Sequence, residues 1–330
     1  MIGRKENHDR KDETMKRGFM KALTYFSLIL LLAGCNTETN GEEADSGDVI
    51  HIGYQKFGTL NILKANESLD EALEEKGYTV KWTEFPAGPQ LLESLNVGSV
   101  DFGHTGEAPP IFAQAAGAPL VYLAHEPPNA KGEAIIVPED SEIKSIQDLK
   151  GKKIGLNKGS NVHYLLVKAV EDAGLSYSDV ETAFLPPADA RAAFERGDID
   201  AWVIWDPFLA DAEISANARI IADATGLAAN REFFLSSKKL ADEHPEVLDI
   251  IYEEIRETEE WVAENKGEAA EFLAPEIGMD LAVLTRTLER RPFGIEKVSD
   301  EVITDQQKIA DQFYDLKLIP KEIQVEDAAQ

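Results

Sequence analysis

The chain has 330 residues, one cysteine and a formal net charge of -28, from 33 Lys+Arg against 61 Asp+Glu. A chain this long exceeds the size at which one core keeps growing, so it should divide into about two lobes, with no need of disulfide or metal staples. The acidity excludes a nucleic-acid backbone or a polybasic grip on anionic lipid, because long-range repulsion opposes both.

Lys16, Arg17 and Lys21 precede the apolar run 22–32, which leads into Leu32-Ala33-Gly34-Cys35. The run is shorter than the roughly 20 apolar residues a spanning helix needs; a basic start, a short apolar stretch and small residues before a break form a signal-peptide pattern. The ending resembles a bacterial lipobox, in which the cysteine becomes the lipidated first residue, so Cys35 is the expected lipidation site; an ordinary cleaved signal with an incidental cysteine is the alternative. Residues 1–34 are read as the signal peptide. Its start is expected at Met15, because 1–14 are hydrophilic and fit no signal pattern. The lack of any other cysteine suits export. Residues 35–48, rich in Gly, Glu, Ser and Asp, are expected to be a disordered tether.

From Val49, β-branched runs alternate with amphipathic stretches: strand 49–54, helix 60–76, strand 78–85, helix 89–96, strand 100–103, helix 108–116 and strand 120–124. This order predicts a mostly parallel sheet with helices on its faces. A second series has strands at 134–137, 153–156, 180–185, 201–205 and 219–222, with helices at 160–173 and 188–196. After Phe233-Phe234-Leu235 the pattern turns helical, over 245–265, 267–273, 281–290 and 299–316, so the C-terminal third is expected to supply helices and no sheet.

Two segments share a spacing. Leu95, Gly98, Val100 and Asp101 match Phe194, Gly197, Ile199 and Asp200, and an acidic residue follows six positions later, at Glu107 and Asp206. In each, glycine suits the left-handed exit of a helix and the branched residue suits a buried strand. One α/β unit used once per lobe would place equivalent loops on two sides of a cleft; helix-Gly-strand recurring by chance in an α/β protein is the alternative.

No phosphate loop, dinucleotide fingerprint, nucleophile elbow or His-Glu-x-x-His motif occurs. His51, His104, His125, His163 and His244 lack ligand spacing. No catalytic residue, metal or cofactor is expected. What remains is a set of polar loops after strands and before helices, at 55–59, 104–107, 157–163, 187–189 and 205–206. Such loops suit a small anion, because helix starts present free N–H groups and a positive dipole end.

Gly53-Tyr54-Gln55-Lys56, Phe85-Pro86-Ala87-Gly88-Pro89-Gln90, His104-Thr105-Gly106-Glu107-Ala108-Pro109-Pro110 within 98–118, Glu126-Pro127-Pro128, Pro187-Ala188-Asp189, Trp205-Asp206-Pro207 and Arg290-Arg291-Pro292 resemble the aliphatic sulfonate-binding proteins of ABC importers. The resemblance implies a type II periplasmic-binding-protein fold, with two α/β lobes around a ligand cleft and extra C-terminal helices. Lobe one would be 49–133 plus 234–330, and lobe two 134–233. It implies a monomeric, non-enzymatic receptor, lipid-anchored outside the bacterial cell membrane. The receptor would close on taurine or a short alkanesulfonate and deliver it to a permease with an ATPase partner, for sulfur acquisition. A receptor for nitrate or a thiamine precursor, and an enzyme on the same fold, are the alternatives.

Carried over by position, the resemblance puts Gln55, Thr105, Gly106 and Glu107 on one wall and Gly159, Ser160, His163, Trp205 and Asp206 on the other. Gln55 and Thr105 would donate from their side chains, and Gly106, Ser160 and Asn161 from backbone N–H groups. Trp205 would wall the alkyl chain, with core packing as the alternative. Glu107 and Asp206 cannot accept a bond from a sulfonate; they would cap helices or face an ammonium. The chain departs from the family pattern at His104 and Glu107, where Ser and Asp are usual, and at Asn161-Val162-His163, where serines are usual, which bears on pocket size. Residues 1–34 carry seven Lys+Arg and four Asp+Glu, so the exported part holds a net charge of -31. A saline or alkaline exterior is the expected reason.

Overall fold

The structure, a computed structural model, describes residues 48–329. The signal peptide, Met15 start, Cys35 and all of the tether but Asp48 lie outside the described residues.

Six strands form the first sheet: β1 (Val49–Tyr54), β2 (Thr79–Glu84), β3 (Phe102–Gly106), β4 (Leu120–His125), β10 (Glu232–Ser237) and β11 (Glu296–Lys297), in the order β11-β4-β10-β3-β1-β2. Five form the second: β5 (Glu133–Pro138), β6 (Lys153–Leu156), β7 (Glu181–Phe184), β8 (Ala201–Trp205) and β9 (Ala218–Asp223), in the order β7-β6-β8-β5-β9. The two orders match when β5 and β10 are taken as equivalents. Each follows a crossover from the other sheet and runs antiparallel to its two neighbours, while β1 with β2 and β3, and β6 with β7 and β8, are parallel.

The C-terminal third therefore does supply sheet, contrary to the sequence expectation. β11 adds to the edge of β4, and β10 fills the gap between β3 and β4. Both faces of β10 are buried: Phe233 and Leu235 pack with Leu91, Leu95 and Phe313, and Phe234 with Ile52, Phe102 and Ile251. A strand apolar on both faces loses the period-two signal that separates strand from helix.

Two further boundaries differ. The helix expected over 60–76 is two helices, Thr59–Asn66 and Ser68–Glu74, because Glu67 takes φ 61 between them and Asn66 Oδ1 accepts the Ser68 N–H. A left-handed residue cannot continue a right-handed helix. The strand expected at 100–103 lies at Phe102–Gly106, so His104, Thr105 and Gly106 are strand rather than loop. Their partners, Phe234, Phe233 and Glu232, are far along the chain, and local polarity gave no hint of them. The short helices Phe208–Ser215 and Lys238–Glu243 were also absent from the sequence reading.

The shared segments adopt one geometry. Gly98 and Gly197 take φ 74 and φ 71. Gly98 N–H donates to the Leu95 carbonyl and Gly197 N–H to the Phe194 carbonyl, at 3.0 and 3.1 Å. In both, the chain leaves a helix and enters a strand, β3 or β8, that pairs in parallel with β1 or β6.

Candidate functional site

The carboxyl ends of β1, β3, β6 and β8 converge on a cleft of about 830 Å³, its open mouth included. Gln55, Lys56 and Phe57 follow β1, Gly106 ends β3, Ser160 and Asn161 follow β6, and Trp205 and Asp206 close β8. Parallel strands deliver loops and helix starts at this edge, where α/β sheets bind small molecules.

The helix starts differ in what they leave free. At Asn161–Asp172 the Ser160 hydroxyl turns to the Asn157 carbonyl at 2.8 Å and caps no helix N–H; the Ser160 carbonyl accepts the His163 N–H at 3.0 Å, and the backbone N–H groups of Ser160 and Asn161, both lining the cleft, keep no protein acceptor. The helix Phe208–Ser215 is sealed instead, since Asp206 Oδ1 accepts the Ala210 N–H at 3.0 Å. Ahead of the helix Pro109–Ala115, Asn161 Oδ1 accepts the Ala108 N–H at 3.2 Å. The Gln55 side chain donates to the His104 carbonyl at 3.0 Å, and its amide carries a second donor. Phe57, Pro109, Trp205 and Phe208 give an apolar wall, with the Trp205 and Phe208 rings edge to face at 6.3 Å. Trp205 is half-buried and also packs on the second-sheet cores, so wall and core packing coexist.

Of the residues named from sequence, Gln55, Gly106, Ser160, Asn161, Trp205 and Asp206 line this cleft. Four do not. Thr105 alternates to the other side of β3, is wholly buried and donates its hydroxyl to the Gly106 carbonyl; the sulfonate bond expected of it has no geometric basis. Gly159 sits at φ 74 over the Phe112 ring. His163 is buried among Phe112, Tyr177, Phe184 and Phe313, accepts the Gly159 N–H and meets the Tyr177 hydroxyl at 2.7 Å. Burial, with Lys158 adding, pushes His163 down to about 4, so it is a neutral ring in the seam between the lobes. Glu107 caps no helix: its carboxylate accepts the N–H groups of Asn230 and Arg231 in the second crossover, at 3.0 and 3.3 Å. Burial nevertheless pushes it up to about 7, outweighing those bonds and Arg231.

Sequence reasoning missed a buried charged belt. Arg291 lines the cleft, pairs with Glu126, lies 3.8 Å from Glu259 and stacks on Phe57 and Phe293. Burial alone would lower its guanidinium; Glu126, Glu259 and Glu232 outweigh that and hold it raised. Burial pushes Glu126 well up against the pull of Arg291, and pushes Asp206 up to about 7 against the pull of Arg290. His104 also lines the cleft, with Nδ1 3.3 Å from the Glu232 carboxylate and Nε2 placed to accept the Gln55 N–H, which assigns the ring proton to Nδ1. Its departure from the family serine, and the motifs Glu126-Pro127-Pro128 and Arg290-Arg291-Pro292, were the sequence signals for this cluster.

Equivalent acids begin the two crossing strands. Glu232 pairs with Gly106 across β10 and β3, and Glu133 pairs with Trp205 across β5 and β8. Glu133 is fully buried and neither carboxyl oxygen has a partner. Desolvation, then Glu107 and Glu232, hold its pKa well above the ordinary carboxylate value. The crossovers are tied to each other: Asn230 Nδ2 donates to the Asn129 carbonyl and Ala224 N–H to the Ala130 carbonyl. Among the described residues, no three His, Cys, Asp or Glu side chains converge as a metal site requires.

Residues 73–269 match the family described as NMT1/THI5 like. A protein described as aliphatic sulfonates-binding, from Escherichia coli (strain K12), is 40% identical over 300 residues, covering 90% of this chain and 93% of the relative. One from Bacillus subtilis (strain 168), described likewise, is 34% identical over 318 residues, covering 95% and 94%. The solved alkanesulfonate-binding protein SsuA from Xanthomonas axonopodis pv. citri, bound to MOPS, superposes with a TM-score of 0.81 at 40% identity, covering 86% of this chain and 98% of that one.

Proposed function

The chain belongs to the aliphatic sulfonate-binding proteins, and from that premise we propose that its cleft takes taurine or a short alkanesulfonate, closes on it and delivers it to an ABC permease for sulfur acquisition. The carrying observation is the unsealed start of the helix Asn161–Asp172 in the same cleft as the apolar wall of Trp205 and Phe208. A sulfonate oxygen accepts but cannot donate, so free N–H groups suit it, and the apolar wall suits a short alkyl chain. Gln55, Ser160 and Asn161 are the proposed donors and Trp205 the proposed alkyl contact.

The proposed lobes are 49–133 plus 234–330 and 134–233; each takes one sheet apart from the first residue of β5 and the first two of β10, which the boundaries cut off. Closure would bend the two crossovers at 126–132 and 224–231. The protein works outside the cytoplasm, as its relatives do; its proposed attachment is a lipid on Cys35, with 35–48 as tether. The receptor is proposed to act as a monomer, to return its ligand unchanged and to meet an ATPase only through the permease.

Titration with taurine, ethanesulfonate, longer alkanesulfonates and sulfate tests the reading, following tryptophan fluorescence and melting temperature. A saturable response to at least one sulfonate is expected, with about 2.7 kcal/mol of stabilisation at a hundredfold excess over Kd. No response to any sulfonate would overturn it.

A further inference from the structure

The helix Leu281–Arg290 packs Leu284 and Leu288 against Ile62, Val262 and Leu273, in the body built on the first sheet. The helix Phe208–Ser215 packs Leu209 and Ala212 with Trp202 and Ile204 on the second. The Arg290 guanidinium reaches from one body to the other. Arg290 donates to the Glu213 carboxylate at 2.5 Å and holds Nε 3.3 Å from Asp206 Oδ2, while Arg286 stands 3.8 Å from Glu213. This is no solvated surface pair, since the Arg290 and Asp206 side chains are only 16% and 7% exposed.

Asp206 lines the cleft. Its Oδ1 is used by the Ala210 N–H, whereas its buried Oδ2 has no aligned donor, so Arg290 answers it by charge alone. A bare carboxylate in that wall would repel a sulfonate across a few ångströms of low-dielectric space. The charged groups facing Asp206 are Arg290 and Arg291 from the C-terminal segment and Glu213 from the helix it precedes. Without Arg290, the wall keeps two carboxylates against Arg286 and an Arg291 already committed to Glu126 and Glu259.

We propose that Arg290 is a positioning residue for anion capture: reaching across from the first-sheet body, it cancels the Asp206 charge that would otherwise repel a sulfonate in the cleft. The inference rests on the sulfonate reading above. It differs from a packing role in one respect. If Arg290 matters because it cancels a charge, removing that charge replaces it; if it matters as a strut, removing Asp206 cuts a second strand of the same bridge.

The experiment compares wild type, Arg290→Gln, Arg290→Lys, Asp206→Asn and the double variant Arg290→Gln/Asp206→Asn. Ethanesulfonate affinity is measured by calorimetry at about pH 8.5, above the value near 7 to which burial pushes Asp206 in the wild type, with a melting curve for each. Arg290→Gln is expected to weaken binding about ten- to a hundredfold, and the double variant to recover to within about threefold of wild type. Wild-type affinity in Arg290→Gln, or a double variant as weak as that single one, would overturn the proposal. Where Arg290→Gln does not fold, Arg290→Lys decides: affinity within about threefold of wild type supports the charge account, and a tenfold loss overturns it. A wild type that binds neither ethanesulfonate nor any other sulfonate overturns the receptor reading, and this inference with it.

Discussion

Asp101 and His51 hold each other by two backbone links: Asp101 N–H donates to the His51 carbonyl at 2.8 Å, and the Asp101 carboxylate accepts the His51 N–H at 2.9 Å. Asp200 and Lys153 repeat the pair in the other sheet, at 2.7 and 2.8 Å. Each aspartate thus clamps the strand after a helix, β3 or β8, to its parallel neighbour, β1 or β6, toward the amino ends of the strands and away from the cleft.

Replacing either aspartate with alanine leaves a strand-end N–H without its acceptor. Asp101→Ala, half-buried, is expected to cost about 1–2 kcal/mol and Asp200→Ala, exposed, about 0.5–1, measured by urea unfolding. Because the pairs lie in different sheets, the double variant should lose close to the sum. A double variant no weaker than Asp101→Ala would show that the second clamp carries nothing.

Gly106 matters for space. A Cβ there would collide with the Asn161 side-chain amide, which accepts from Ala108 and donates to Asn230 at 2.5 Å. Gly106→Ala is expected to push the helix Asn161–Asp172 off the opposite wall, weakening sulfonate binding about tenfold or more, a loss near 1.4 kcal/mol. Unchanged affinity by calorimetry would show that the cleft tolerates the displacement.

Arg291 is needed whole. Arg291→Ala strands Glu126 and Glu259 in the interior and is expected to cost about 3–5 kcal/mol, or roughly 10 °C in melting temperature. Arg291→Lys should recover only part, because an ammonium cannot stack on Phe57 and Phe293 as the guanidinium does. Full rescue by lysine, read from melting curves, would count against the stacking account.

Glu107 and Asp206 give a pH signature. Their folded pKa values, pushed up to about 7, lie above those of the unfolded chain, so the folded state binds more protons. Their contribution is fully present below about pH 4 and is lost as pH rises through about 7. His163, pushed down, acts oppositely: its contribution is present above about pH 6.5 and is lost as pH falls towards about 4. Glu107→Gln is therefore expected to flatten the fall in melting temperature between pH 5 and 8, and His163→Phe the fall on the acid side. Parallel curves for Glu107→Gln and wild type would show that Glu107 ionises at its ordinary value.

Much of the layout was legible because it depends on local pattern. β-branched runs of the right length marked β1, β6 and β8 to the residue, and the repeated glycine and aspartate marked two equivalent helix exits. Strand β10 was not legible, since its apolar faces both pack inward and its partners lie far along the chain. The candidate site was legible only as a neighbourhood, the loops after strands. Within it, side-chain direction depends on strand register, which turns Gly106 to the cleft and its neighbour Thr105 away.

Composition and local order by themselves determined that this is an acidic chain with one cysteine and a net charge of -28, and the alternation of β-branched and amphipathic runs from Val49 onward marked it as α/β. Only tertiary structure decided what happens to that acidity where a ligand would sit. Glu126 and Asp206 line the cleft, yet each meets an arginine from far along the chain, while burial among like charges pushes Glu133 well up. Charge is a property of residues one by one; its cancellation belongs to residues brought within a few ångströms, and only the folded chain brings them there.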